Sequence, residues 1–243
     1  MVFTYNFAPN ANYFYQSQQS STGAKDNIRV NIIAPSETAA WYSDVITKIN
    51  SARSSLYPSK TLTITQNNNS SYLGADLSTS NYDAVFIWTD ANYSSSTLGT
   101  NLNNYVSSGG GLTICVFASA SVQLAGFSYT NCPIVYPNNQ SMASTSLGTY
   151  TAADPLMLGV TSFNPGTSRY GAGGLTLQSG ATTVAQYNDN NILVAKKTIG
   201  TARTVCLNFF PPSSTARSDF WNSTTNGGQL MCNAIIWSGK GVN

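Results

Sequence analysis

The sequence predicts an α/β fold with a mainly parallel central sheet, and three observations carry that prediction. Short apolar runs alternate with segments of helical period through the first half of the chain, as in NIRVNIIA before ETAAWYSDVITKINSARSSL. Two runs, Asp83–Trp88 and Leu112–Ala118, are apolar nearly throughout, as expected of strands covered on both faces. A further buried run, Thr201–Phe210, comes late and is followed by an apolar closing helix, Gly228–Trp237.

Residues 1–27 stand apart as an arm. They carry Phe3, Tyr5, Phe7, Tyr13, Phe14 and Tyr15 among Asn, Gln and Ser, with no charge before Lys25. Disordered segments are poor in aromatics, so packing on this domain or on a neighbour is expected. Residues 28–243 read as one domain. Asn27–Ala34 is the first strand, stopped by Pro35. Ser36 is placed to cap the next helix, with Glu37 at the positive end of its dipole. Ala40, Trp41, Val45, Ile49, Ala52 and Leu56 fall on one helix face. Thr61–Thr65 alternates as a second strand, and Asp83–Trp88 is the third. Leu98, Leu102, Tyr105 and Val106 mark a second helix, stopped by Gly109–Gly111 before the strand Leu112–Ala118. Residues 122–172 are rich in turn formers. Gly174–Leu177, Thr182–Tyr187 and Ile192–Lys197 are short strands, the last two joined as a hairpin at Asn188–Asn191.

Composition excludes several functions. The chain has 243 residues and a mass of 25.9 kDa, with 42% hydrophobic but only 8% charged residues. Globular domains carry about 25% charged residues. The net charge of +2 gives no electrostatic footprint for nucleic acid. No apolar window is long enough to span a membrane, and the N-terminus is no ordinary signal peptide. Cys115, Cys132, Cys206 and Cys232 lack CxxC spacing, and Cys115 and Cys206 lie inside apolar runs, so buried reduced thiols are expected and a zinc site is not. No cofactor motif is present: the GAGG at Gly171–Gly174 does not link a strand to a helix.

YDAVFIWTD with GGGLTICVFAS, then DPLMLGVTSF, then ILVAKKTIGTARTVCLNFFPPSSTARSDFW resemble the class I glutamine amidotransferase-like superfamily, which includes ThuA-like proteins. The resemblance covers about residues 28–238. It implies a flavodoxin-like three-layer fold with a β-hairpin insertion in the C-terminal half. It also implies a cysteine nucleophile at a strand-to-helix elbow and a downstream histidine. The chain has no histidine at all, and Cys115 lies between Ile114 and Val116 with no flanking glycine. A thiol without a base is a structural residue.

Five residues are candidates for a crevice at the carboxyl edge of the sheet, where open α/β sheets bind ligands. Glu37 and Asp90 follow the first and third strands, Ser119 occupies the elbow with Ser121 nearby, and Arg217 and Asp219 follow the strand ending at Phe210. No residue among them is assigned a catalytic role. The expected function is a non-catalytic structural or interaction module that packs against copies of itself or another assembly protein, in part through residues 1–27. A viral-particle or surface component suits the composition. Two alternatives use the crevice: binding of a small polar ligand or carbohydrate, and a histidine-free hydrolase working through Glu37 and Asp90.

Overall fold

The computed structural model describes residues 23–243 apart from residues 36, 94, 121–122, 136–139 and 142–144. Most of the arm, Ser36 and Ser121 therefore lie outside the described residues. An eight-stranded sheet forms the centre. In chain order the elements are β1 (Asn27–Ile33), α1 (Ala39–Leu56), β2 (Thr61–Asn67), β3 (Ala84–Ile87), α2 (Ser96–Ser107), β4 (Gly111–Cys115), β5 (Leu147–Tyr150), β6 (Ala181–Tyr187), β7 (Ile192–Ile199), β8 (Ala202–Leu207) and α3 (Gly227–Ser238). The strand order is β2-β1-β3-β4-β8-β7-β6-β5. The five strands from β2 to β8 are parallel, and β7, β6 and β5 continue the sheet antiparallel.

Helices α1 and α3 pack on each other and α3 lies against β3, β4 and β8. The connection β1-α1-β2 runs one way along the sheet and β3-α2-β4 the other. Right-handed crossovers therefore place α2 on the face opposite α1. The buried face of α1 is Tyr42, Val45, Ile49 and Ala52, at three- and four-residue spacing. Ala40 is exposed and Trp41 and Leu56 half-exposed, so the expected stripe is corrected by one helical position at its start. Thr38 caps α1, its hydroxyl accepting the Trp41 N–H at 3.3 Å. Glu37 consequently lies before the helix rather than in its first turn.

Helix α2 ends as its glycines predict. The Gly110 N–H bonds to the Tyr105 carbonyl and the Gly109 N–H to that of Val106, the paired bonds of a Schellman cap, with Gly109 at φ +92°. Helix α3 is buried along nearly its whole length. Its one large polar core residue, Asn233, donates to the Leu156 and Leu158 carbonyls at 3.0 and 2.9 Å and accepts from the Tyr57 hydroxyl at 2.9 Å.

Three expectations change. Strands β4 and β8 are shorter than their apolar runs, because burial continues past the last ladder bond. Phe117 and Phe210 thus lie in loops beyond the carboxyl edge. The stretch from Gly174 gives only Thr176–Leu177, paired with Ile134–Val135 outside the main sheet. Strand β5 was not expected, since a half-covered edge strand reading LGTY shows no alternation.

Candidate functional site: an aromatic crevice at the sheet edge

The crossovers change direction between β1 and β3, which makes their carboxyl ends the topological switch point of the sheet. Beside it opens a crevice of about 70 Å³ lined by Trp41, Asp90, Phe117, Tyr170, Phe210, Arg217 and Phe220. Each comes from a segment that leaves the carboxyl edge or packs beside it. Trp41 is in the first turn of α1, Asp90 follows β3, Phe117 follows β4, and the other aromatics border the loop after β8.

The rings pack partly edge to face and partly tilted. Trp41 meets Phe220 at 5.0 Å between centroids and 79°, and Phe210 at 5.9 Å and 86°. Phe117 meets Tyr170 at 5.8 Å and 86°. The Arg217 guanidinium lies 4.5 Å from the Phe220 ring centre and 5.6 Å from that of Tyr170. It donates to both Asp219 oxygens, from Nε at 2.5 Å and from Nη2 at 2.6 Å, and Nη2 also donates to the Tyr170 hydroxyl at 2.6 Å. These bonds to Arg217 hold the Asp219 carboxyl at about 2 against the opposing effect of its partial burial.

The loop carrying Arg217 and Phe220 is anchored from below. Buried Asp44, one turn along α1 from Trp41, accepts from the Ser213 N–H at 2.6 Å and from its hydroxyl at 3.1 Å. The Trp221 indole donates to the Pro211 carbonyl at 2.7 Å and closes the loop on itself. On the other side, Gly166 lies at φ +84°, where a Cβ would stand 2.1 Å from the Phe220 carbonyl oxygen. Only glycine lets the segment leading to Tyr170 approach this closely.

No family model matches the sequence. No curated protein matches it either. Solved structures match in architecture. A ThuA-like protein of Parabacteroides merdae aligns with a TM-score of 0.58 at 12% identity, over 88% of this chain and 91% of its own. A ThuA-like protein of Bacteroides uniformis gives 0.56 at 12% identity, over 87% and 91%. A cytoplasmic protein of Salmonella typhimurium LT2 gives 0.55 at 13% identity, over 87% and 99%. The fold is ThuA-like. At such identities the likeness extends to architecture alone.

Within this ThuA-like fold the candidate residues separate. Asp90 and Arg217 line the crevice, and Asp219 stands behind Arg217. Glu37 is 6% exposed and does not line it; its carboxyl oxygen Oε1 accepts the Asp90 N–H at 3.1 Å. Burial, and next the charge of Asp90, push the Glu37 carboxyl up to about 8. Ser119 is fully buried and does not line this crevice. Cys115 ends β4 instead of lying inside it, yet is equally buried. Burial, with Cys132 nearby, pushes its thiol well above the ordinary range. All four thiols are buried and unpaired. Among the described residues no cluster suits a metal ion, and no helix is long and apolar enough to cross a membrane.

Sequence reasoning assigned Trp41 to the helix core and left Phe117, Tyr170, Phe210 and Phe220 without a role. A usable signal was present: aromatic residues recur directly after buried strands, in VFA and NFFPP, where side chains reach the carboxyl edge.

Proposed function

We propose that the chain is a non-catalytic binding module for a small neutral polar ligand with an apolar ring face, in the first place a monosaccharide unit. The observation that carries this reading is the lining of the crevice. Five aromatic rings line it together with one carboxylate, Asp90, and one guanidinium held rigid by Asp219 and Tyr170. Aromatic faces take the C–H face of a sugar, while the charged groups bond its hydroxyls. The charge balance argues against an anion, because Arg217 is already neutralised by Asp219 and Asp90 adds negative charge. At about 70 Å³ the crevice is far below the roughly 300–1,000 Å³ of sites that enclose drug-sized ligands, so it would receive the face of one ring and leave the rest in solvent.

The same geometry speaks against hydrolysis. A paired-carboxylate mechanism needs both acids against the substrate, and Glu37 is turned away beneath the Asp90 backbone. A thiol or hydroxyl mechanism needs an exposed nucleophile with a base, and both Cys115 and Ser119 are enclosed in a chain without histidine.

The test is calorimetric titration with a panel of neutral mono- and disaccharides. At least one is expected to bind saturably with a Kd on the order of 1 mM, and Trp41→Ala is expected to weaken it about tenfold. If no sugar in the panel binds at about 10 mM, or Trp41→Ala leaves the affinity unchanged, the reading fails.

A further inference from the structure

Strand β2 forms one edge of the eight-stranded sheet. Its seven residues, TLTITQN, include no charge, proline or glycine. The Thr61 N–H donates to the Asp26 carbonyl at 2.8 Å, and the Asn67 carbonyl accepts from Ala34 at 2.9 Å, which fixes its parallel register on β1. In a parallel ladder alternate residues bond to a given neighbour. Thr61, Thr63, Thr65 and Asn67 therefore bond toward β1, and the N–H and C=O groups of Leu62, Ile64 and Gln66 point outward. No described residue pairs with these outward groups.

Proteins commonly guard such an edge with lysine, proline, a bulge or shortness. The opposite edge, β5, has four residues and includes Gly148. Strand β2 has none of these protections. Its side chains at Thr61, Thr63 and Gln66 are exposed, and its threonine- and isoleucine-rich sequence suits a pleated ribbon.

We infer that β2 is a self-recognition edge, on which a second copy of this chain lays its own β2 antiparallel across a two-fold axis. Centred on Ile64, this pairing sets Ile64 opposite its own counterpart and Leu62 opposite Gln66. All three outward-facing positions then become hydrogen-bonded pairs. A second copy is the occupant because the strand is its own complement. With no charged residue from Thr61 to Asn67, no like charges are brought opposite each other. A net charge of +2 on 243 residues adds little long-range repulsion. At the strand's start, Lys60 is already paired with Asp26 at 3.5 Å. An isologous contact of this kind closes as a dimer.

Sedimentation velocity on the full chain, over about 1–100 μM, tests the inference. The wild type is expected to approach twice its 25.9 kDa at the upper end. Thr63→Lys places an ammonium near its own copy, and Gln66→Pro removes an outward donor while sparing the ladder to β1. Each is expected to raise the concentration of half-dimerisation at least tenfold with little change in melting temperature. A chain lacking residues 1–22 is expected to dimerise as the wild type does. A wild type that is monomeric throughout overturns the inference, as do variants that dimerise normally. So does loss of the dimer only on removal of residues 1–22, which would assign the contact to the arm.

Discussion

Among the carboxyl groups, Glu37 is the one whose chemistry departs furthest from its ordinary state. It keeps its proton in the folded chain up to about 8, against an ordinary value of 4.5. Between those values the unfolded chain releases a proton that the folded chain retains, so stability falls as pH rises through that window. Glu37→Gln removes the titration and keeps an oxygen for the Asp90 N–H. It is expected to be more stable than wild type at pH 9 by roughly 1–3 kcal/mol and nearly equal to it at pH 4, read from melting temperatures across pH. A variant equally destabilised at both values would show that the buried carboxyl is not protonated. Asp83, at the opposite end of the sheet, works in the reverse sense. Burial raises its pKa, but the hydrogen bonds from Arg29 and Lys25 outweigh burial and hold the carboxyl at about 2. Its contribution is present above the ordinary carboxylate range and disappears as pH falls from about 4 to 2. Asp83→Asn is expected to cost about 2 kcal/mol at pH 7 and almost nothing at pH 2, measured by denaturant unfolding.

At the scale of elements, the crevice depends on how α1 is tied to the loop after β8. Asp44 does not line the crevice, yet both its oxygens hold Ser213 at the start of the loop that carries Arg217 and Phe220. Asp44→Ala leaves a buried N–H and hydroxyl unpaired and is expected to cost about 2–3 kcal/mol. It should also weaken sugar binding, because Trp41 and Phe220 lose their common support. Unchanged affinity in a folded Asp44→Ala protein would show that the aromatic wall holds itself. Strand and helix identities were largely legible in the sequence: the Gly109–Gly110 stop, the hairpin at Asn188–Asn191 and the apolar cores of β3 and β4 each have a local cause. Strand ends were less so, because Val116–Ala118 and Phe209–Phe210 are as buried as the strands they follow. An apolar run records burial, and the ladder's end is set by the neighbouring strand.

For the whole molecule, the amidotransferase-like expectation was right in architecture, which depends on the order of strands and helices. The position of Asp90 and Arg217 at the carboxyl edge was legible because each follows a parallel strand. The aromatic wall was not, since Trp41, Phe117, Tyr170, Phe210 and Phe220 are spread over the chain and meet only through the tertiary fold. The 8% of charged residues is used sparingly: ion pairs fix Asp83 and Asp219, β2 is left uncharged, and the crevice wall carries Asp90 and Arg217 alone among its aromatic rings. The measurement that bears most directly on the crevice is the ¹H–¹⁵N spectrum of the four tryptophan indoles during a sugar titration. Trp88, Trp221 and Trp237 are buried and only Trp41 faces the crevice. A saturable shift confined to the Trp41 indole is the predicted result. An unmoved Trp41 signal, or shifts shared by all four indoles, would contradict binding at this site.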